Sequence, residues 1–312
     1  LYKIKIIHKT LIFIILHKKR HNIKIFYEYF NTTYKTFKKK LSCNFHWRPE
    51  TNFKNGENLK IHKSKTNLKS LIYYMEHLKI ASDNYVAFTF FIGTMAMMAA
   101  SVFFFFELGN TSQKWRTSVL VSGLITFIAA VHYYYMRGYN LATGDSPTFF
   151  RYVDWILTVP LMCVEFYLIT KKAGAKVSLL WKLIAASLVM LVTGYFGETI
   201  DRGNSVLWGV ISGGAYFYIA YLVWFGEVAN LAQSAGAQVA KATRVLAWFV
   251  LVGWAIYPLG YILGTPGGLF GIQLVSDPAA ASHAMDIVYN IADAINKIGF
   301  GLVIYSLSRN ED

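Results

Sequence analysis

From residue 85 onward the chain alternates between long apolar stretches and short polar interruptions. Seven stretches stand out, at about 85–107, 117–137, 148–170, 178–197, 205–225, 242–264 and 284–307. Each holds the roughly 20 residues an α-helix needs to cross about 30 Å of hydrocarbon. None keeps a two-residue alternation over its length, so a membrane β-barrel is not indicated. The body shows no fixed-period repeat and no low-complexity segment. The pattern predicts an all-α membrane protein, a seven-transmembrane-helix bundle with short loops. The longest loop is the last, around 265–283, and opens on Thr265-Pro266-Gly267-Gly268.

Cations in the loops give the bundle a direction. Lys114, Arg116, Lys171, Lys172, Lys176, Lys241 and Arg244 fall in one set of loops, with Arg309 on the tail. The opposite set holds little beyond Arg137 and Arg202. The first set is expected to be cytoplasmic. That places the N-terminus of the bundle outside, the C-terminus in the cytoplasm, and the chain in a plasma membrane as a multi-pass protein.

Composition supports a membrane body. The 312 residues are 55% hydrophobic and only 15% charged, against about 25% charged in an ordinary soluble domain. The net charge of +14 resembles a nucleic-acid signal until it is located. Residues 1–80 carry 18 Lys and Arg against 4 Asp and Glu, and the remaining 13 and 13 cancel. The body is neutral, and no nucleic-acid partner is expected. The leader, 1–74, has no methionine before Met75 and is rich in Lys, Ile, Asn, Phe and Tyr, as translated AT-rich DNA is. We expect it to be non-native upstream translation or disordered, and the functional domain to occupy 75–312. The rival reading is a real basic extension that binds anionic lipid or nucleic acid. The apolar run Leu11–Leu16 is far too short to span a bilayer. Two cysteines, Cys43 and Cys163, form neither a metal-ligand spacing nor a disulfide framework.

Ionisable groups at membrane depth are costly and are functional candidates by default. Here they include His132 in the second stretch, Arg151, Asp154 and Glu165 in the third, and Asp293 and Lys297 in the seventh. A lysine in an apolar bundle loses its charge or acquires a task. One task is a Schiff base with a carbonyl compound. Asp293, four residues earlier on the same helix face, suits a carboxylate balancing the resulting cation. The alternative is a plain Lys–Asp ion pair between helices. Asp154, Thr158 and Arg151 lie one turn apart and can share an inward face. Glu165 is eleven residues beyond Asp154, roughly 16 Å along a helix. Carboxylates so separated cannot share a proton directly, but they can serve opposite ends of a proton path.

The runs Arg151-Tyr152-Val153-Asp154-Trp155-Ile156-Leu157-Thr158 to Glu165, Gly253-Trp254-Ala255-Ile256-Tyr257-Pro258-Leu259-Gly260-Tyr261, and Tyr289-Asn290-Ile291-Ala292-Asp293-Ala294-Ile295-Asn296-Lys297 occur in this order. They resemble the microbial rhodopsins, and within them the proteorhodopsin and xanthorhodopsin group. The resemblance covers about 80–310 and none of the leader. It implies a prokaryotic protein that is not an enzyme but a light-driven ion transporter, moving protons outward. It further implies all-trans retinal held on Lys297 as a protonated Schiff base, with Asp154 as counterion and proton acceptor and Asp293 as second counterion. Glu165 would be the cytoplasmic proton donor, and Thr158 would complete the Asp-Thr-Glu triplet typical of outward pumps. Arg151 would shape the field on the release side, and His132 would bond the acceptor carboxylate.

By the same resemblance Trp155, Trp254, Tyr257, Tyr261, Tyr133 and Pro258 belong to the retinal pocket. Flat aromatic walls suit a rigid conjugated ligand, although aromatic residues in membrane helices are more often ordinary packing. Pro258 could kink the sixth helix. Met162 occupies the colour-tuning position, where a nonpolar residue implies green absorption. Gly209 falls where a glycine, in xanthorhodopsin-like pumps, opens a side window for a hydroxylated carotenoid antenna. The bland alternative is close helix packing. The expected partners are thus protons, membrane lipid, the carotenoid and further copies of the chain in a homo-oligomer. Two other functions stand against outward pumping. A sensory or other ion-transporting rhodopsin is opposed by Asp154 and Glu165 together. A seven-helix receptor or transporter without retinal would give no visible band when retinal is added.

Overall fold

The computed structural model describes residues 80–310, apart from Ser82 and 265–276. The basic leader and most of the last loop lie outside the described residues. Seven helical segments are long and apolar enough to cross a membrane. They follow as α1 (Tyr85–Glu107), α2 (Arg116–Thr143), α3 (Thr148–Thr170), α4 (Val177–Tyr195) and α5 (Ser205–Trp224). A short α6 (Glu227–Ser234) extends the fifth span, α7 (Ala237–Trp248) and α8 (Ile256–Gly264) share the sixth, and α9 (Pro278–Asn310) is the seventh. All seven expected stretches are present. Among the described residues there are no strands.

The local chemistry sets the helix ends. Asn84 caps α1 by accepting the backbone N–H of Ala87 at 2.9 Å. At the end of α2, Gly144 takes the left-handed conformation (φ 76°), and its N–H reaches the Asn140 carbonyl at 2.8 Å. Consecutive spans pack on one another, and α9 closes the ring against α1 and α2. Large apolar side chains such as Phe106, Trp181, Phe217 and Phe225 face outward, each more than 60% exposed. A soluble protein rarely tolerates so much bare apolar surface, whereas lipid demands it. Charged and polar groups turn inward: Arg151, Asp154, Glu165, Asp286, Asp293 and Lys297 are all buried.

The sixth span is broken where the site needs it. A wide π-type turn covers Phe249–Gly253, and regular helix resumes only at Ile256. Pro258 has no N–H to give the carbonyl of Trp254, and its ring would crowd that carbonyl. The Trp254 carbonyl instead accepts from Tyr257 N at 3.1 Å, a tighter turn. Carbonyls freed by the π turn are met from neighbouring spans. Tyr216 Oη donates to Leu251 O at 2.8 Å, and Asn296 Nδ2 donates to Gly253 O at 3.0 Å. Gly260 lies so close to the Tyr289 ring that a Cβ there would fall inside it. The glycine is what lets α8 and α9 approach.

Candidate functional site

Lys297 sits mid-bundle on α9 with 2% of its surface exposed. Its Nζ donates to Asp154 Oδ2 at 2.5 Å and to Asp293 Oδ2 at 2.7 Å. The two carboxylates come from different helices, and the i, i+4 spacing on α9 places Asp293 on the same face as the amine. A cation thus lies between two anions, one on its own helix and one on α3.

The two carboxylates are held very unequally. Asp293 accepts from Tyr133 Oη (2.9 Å), Tyr257 Oη (2.7 Å), Trp155 Nε1 (3.2 Å) and Lys297. Both of its oxygens are fully engaged, two donors on each. Asp154 accepts only from Lys297, and its buried Oδ1 has no hydrogen-bond partner among the described residues. His132 Nδ1 lies 3.7 Å from that Oδ1, beyond hydrogen-bond reach, and instead approaches the Ile128 carbonyl at 2.9 Å. The expected His132–Asp154 bond is therefore absent in this arrangement, because the helix carbonyl is the nearer partner. Thr158 is buried beside the acid but donates to the Asp154 backbone carbonyl at 2.9 Å, not to the carboxylate.

A cavity of about 500 Å³ runs from Lys297 between α3, α4, α5, α8 and α9. Trp155, Met162, Trp254, Tyr257, Pro258, Tyr261 and Gly209 all contribute to its wall. Tyr133 does not. Expected in the pocket by the resemblance, it instead donates its hydroxyl to Asp293 Oδ2 at 2.9 Å. Beside Gly209 the wall includes Val210 and Phe217, which are 60% and 65% exposed, so the cavity borders the outer face of α5. A Cβ on Gly209 would meet only the Tyr261 ring at 3.7 Å, and one on Gly213 would meet nothing within 4 Å.

On the cation-rich end, Glu165 is fully buried. Ser122 Oγ donates to its Oε1 at 3.3 Å, and Oε2 has no partner among the described residues. Ser118, one turn before Ser122 on α2, lines a second cavity of about 720 Å³ whose rim carries Lys114, Lys171 and Lys172. On the opposite end, Arg151 is buried with Asp286, Nη2 to Oδ1 at 2.7 Å.

Two acids were missed in the sequence. Asp286 lies seven residues before Asp293, two turns along the same face, and that spacing could have found it. Glu198, just past the expected end of the fourth stretch, accepts from Tyr152 Oη at 2.8 Å. It lies in a π-type turn (Phe196–Ile200) that prolongs the span, which no residue pattern announced.

The arrangement defines a class: a seven-helix membrane protein with a buried lysine between two acids, at the end of an aromatic-walled cavity. A family model described as bacteriorhodopsin-like protein matches residues 84–310. The green-light absorbing proteorhodopsin of Gamma-proteobacterium EBAC31A08 is 44% identical over 237 residues, covering 74% of this chain and 89% of the relative. Among solved structures, the blue light-absorbing proteorhodopsin from Med12 is 41% identical with a TM-score of 0.61, covering 73% of this chain and all of that one. Xanthorhodopsin, described as a light-driven ion pump with dual chromophore, is 28% identical with a TM-score of 0.63, covering 74% and 96%. The chain belongs to the bacteriorhodopsin-like family, as a multi-pass prokaryotic membrane protein.

Proposed function

We propose that this chain is a light-driven pump that moves protons outward, using all-trans retinal held covalently on Lys297. The observation that carries the reading is the unequal pairing of the two acids around Lys297 Nζ. The residues fit retinal: a long apolar cavity with aromatic walls ends on a buried amine flanked by carboxylates. When bound, retinal supplies a light-driven change of shape and a cationic nitrogen at Lys297 that can lose and regain a proton.

The rest falls to the chain. Asp293, with four donors on its oxygens, is built to remain an anion and to steady the cation. Asp154, with one oxygen unclaimed, is placed to receive the proton from the Lys297 nitrogen. Glu165 lies about 16 Å further along α3 on the lysine-rich side. It is the natural source for the returning proton, and the cavity lined by Ser118, one turn from the Ser122 that bonds Glu165, is the supply route this reading assigns. Cations concentrate at the Glu165 end, which the positive-inside rule makes cytoplasmic. Uptake at Glu165 and release beyond Arg151 then give outward transport.

Cells expressing the chain with retinal should acidify the medium under light, and a protonophore should abolish the signal. No visible band on adding retinal would sink the cofactor assignment. A visible band without a pH change would favour a sensory role. Gly209 supports one finer point. Its open position, next to exposed Val210 and Phe217, suits the polar ring of a hydroxylated carotenoid lying along the outer face of α5 as an antenna.

A further inference from the structure

Arg151 lies three residues before Asp154 on α3, about 4.5 Å along the helix axis. A long side chain one turn from the acid could lie against it. It does not. Arg151 Nη2 donates to Asp286 Oδ1 at 2.7 Å, and Nη1 donates to Asn290 Oδ1 at 3.1 Å. The guanidinium is wedged between the rings of Phe90, at 5.4 Å, and Tyr289, at 5.2 Å. Asp286 is braced in turn by Ser146 Oγ at 2.7 Å, and Asn290 donates onward to Thr89 Oγ1 at 3.0 Å. Four stations on the bundle thus hold one cation: α1, the α2–α3 turn, α3 itself and α9. Arg151 and Asp286 are both buried, and neither could be left without a counter-charge at that depth.

We infer that Asp286 is a positioning residue, which pins and neutralises Arg151 at the outer end of the bundle and so keeps its charge from acting on Asp154. The inference rests on the reading of Asp154 as the proton acceptor. The groups around Asp154 are Lys297 and Asp293 on α9, His132 on α2 and Arg151 on its own helix, with Tyr257 of α8 and Tyr133 of α2 on the adjacent Asp293. Those around Asp286 are Arg151 and Ser146, with the Glu198–Tyr152 pair as the other acid at this end. Arg151 is the cation of this set that Asp286 holds directly.

The test is a dark pH titration of purified, retinal-loaded protein, following the red-shifted band that forms when the acceptor takes a proton. In Asp286→Asn, Arg151 loses its anion and can act on Asp154, favouring the carboxylate. The midpoint should move to lower pH by about one unit, a tenfold change in proton affinity. Asp286→Glu, which keeps a carboxylate, should restore most of it. Removal of a distant negative charge would shift the midpoint the same way, so the titration is repeated in Arg151→Gln. There Asp286→Asn should shift it by less than a third as much. An equal shift with and without Arg151, or no shift in the single variant, overturns the inference. If Asp286→Asn does not bind retinal, the double variant Arg151→Gln/Asp286→Asn, which removes both charges together, decides. Loss of a pinned and neutralised pair should move the midpoint by less than about one unit, and a larger rise shows that Arg151 was already acting on Asp154 and overturns the inference. A wild type with no red-shifted acid form would remove Asp154 as acceptor and the inference with it.

Discussion

Replacing each of the two acids beside Lys297 by its amide should separate structure from transport. Asp293 Oδ1 accepts from Trp155 and Tyr257, and Oδ2 accepts from Tyr133 and Lys297. In Asp293→Asn one oxygen becomes an NH2 group that faces two donors, whichever way the amide turns. Two charge-assisted hydrogen bonds are lost, at about 1.5–3 kcal/mol each, or roughly 3–6 kcal/mol in all. Asp154→Asn is different. Its Oδ2 accepts one bond, from Lys297, and an amide oxygen can still accept it. Oδ1 has no partner to lose, and Asp293 remains to balance the cation. The expected structural loss is under about 3 kcal/mol. At roughly 2–4 °C per kcal/mol for a domain of this size, Asp293→Asn should lower the thermal midpoint of the loaded protein by on the order of 10 °C. Asp154→Asn, with at most one such bond weakened where Asp293→Asn loses two, should lower it by about half as much or less. Transport should follow the opposite logic: Asp154→Asn should stop light-driven acidification completely even though the protein stays folded and coloured. Thermal melting of the visible band and cell-suspension pH recordings read the two effects independently. Equal destabilisation by the two amides would refute the donor distribution, and pumping by Asp154→Asn would refute the acceptor role.

Three other outcomes follow from the same geometry. Lys297→Ala should insert in the membrane yet show no visible band with retinal, and a retained red-shifted band would exclude the covalent assignment. Glu165→Gln should leave the dark absorption in place but slow recovery of the dark state at neutral pH at least tenfold in flash photolysis, and unchanged recovery would remove Glu165 as donor. Gly209→Trp should fill the open wall beside Tyr261, abolishing carotenoid uptake and blue-light sensitisation while green-light pumping survives. Overpacking there costs about 1–3 kcal/mol, so retinal binding by this variant is the control, and equal carotenoid uptake by both proteins would close the antenna reading.

What could be read in the chain, and what could not, divides along a physical line. The spans were legible because lipid enforces length and polarity residue by residue, so that Tyr85–Glu107 or Thr148–Thr170 announces itself without reference to any neighbour. The costly residues were legible for the same reason: Lys297, Asp154 and Glu165 are conspicuous against an apolar background. Pairing was not. Nothing in the order of residues says that Tyr133, Trp155 and Tyr257, from three different spans, converge on one carboxylate while its neighbour receives a single bond. Nor does it say that His132 prefers the Ile128 carbonyl at 2.9 Å to the acid at 3.7 Å. Those outcomes depend on how helices rotate about their axes, which is fixed by contacts such as Gly260 against Tyr289 and Tyr216 against the π turn of the sixth span. The consequence is chemical. Two aspartates identical as sequence differ in that one meets four donors and the other meets one, and the proposed division into anchored anion and acceptor rests on that difference. That inequality around Lys297, which the identity of the acids does not reveal, is what the two amide variants measure.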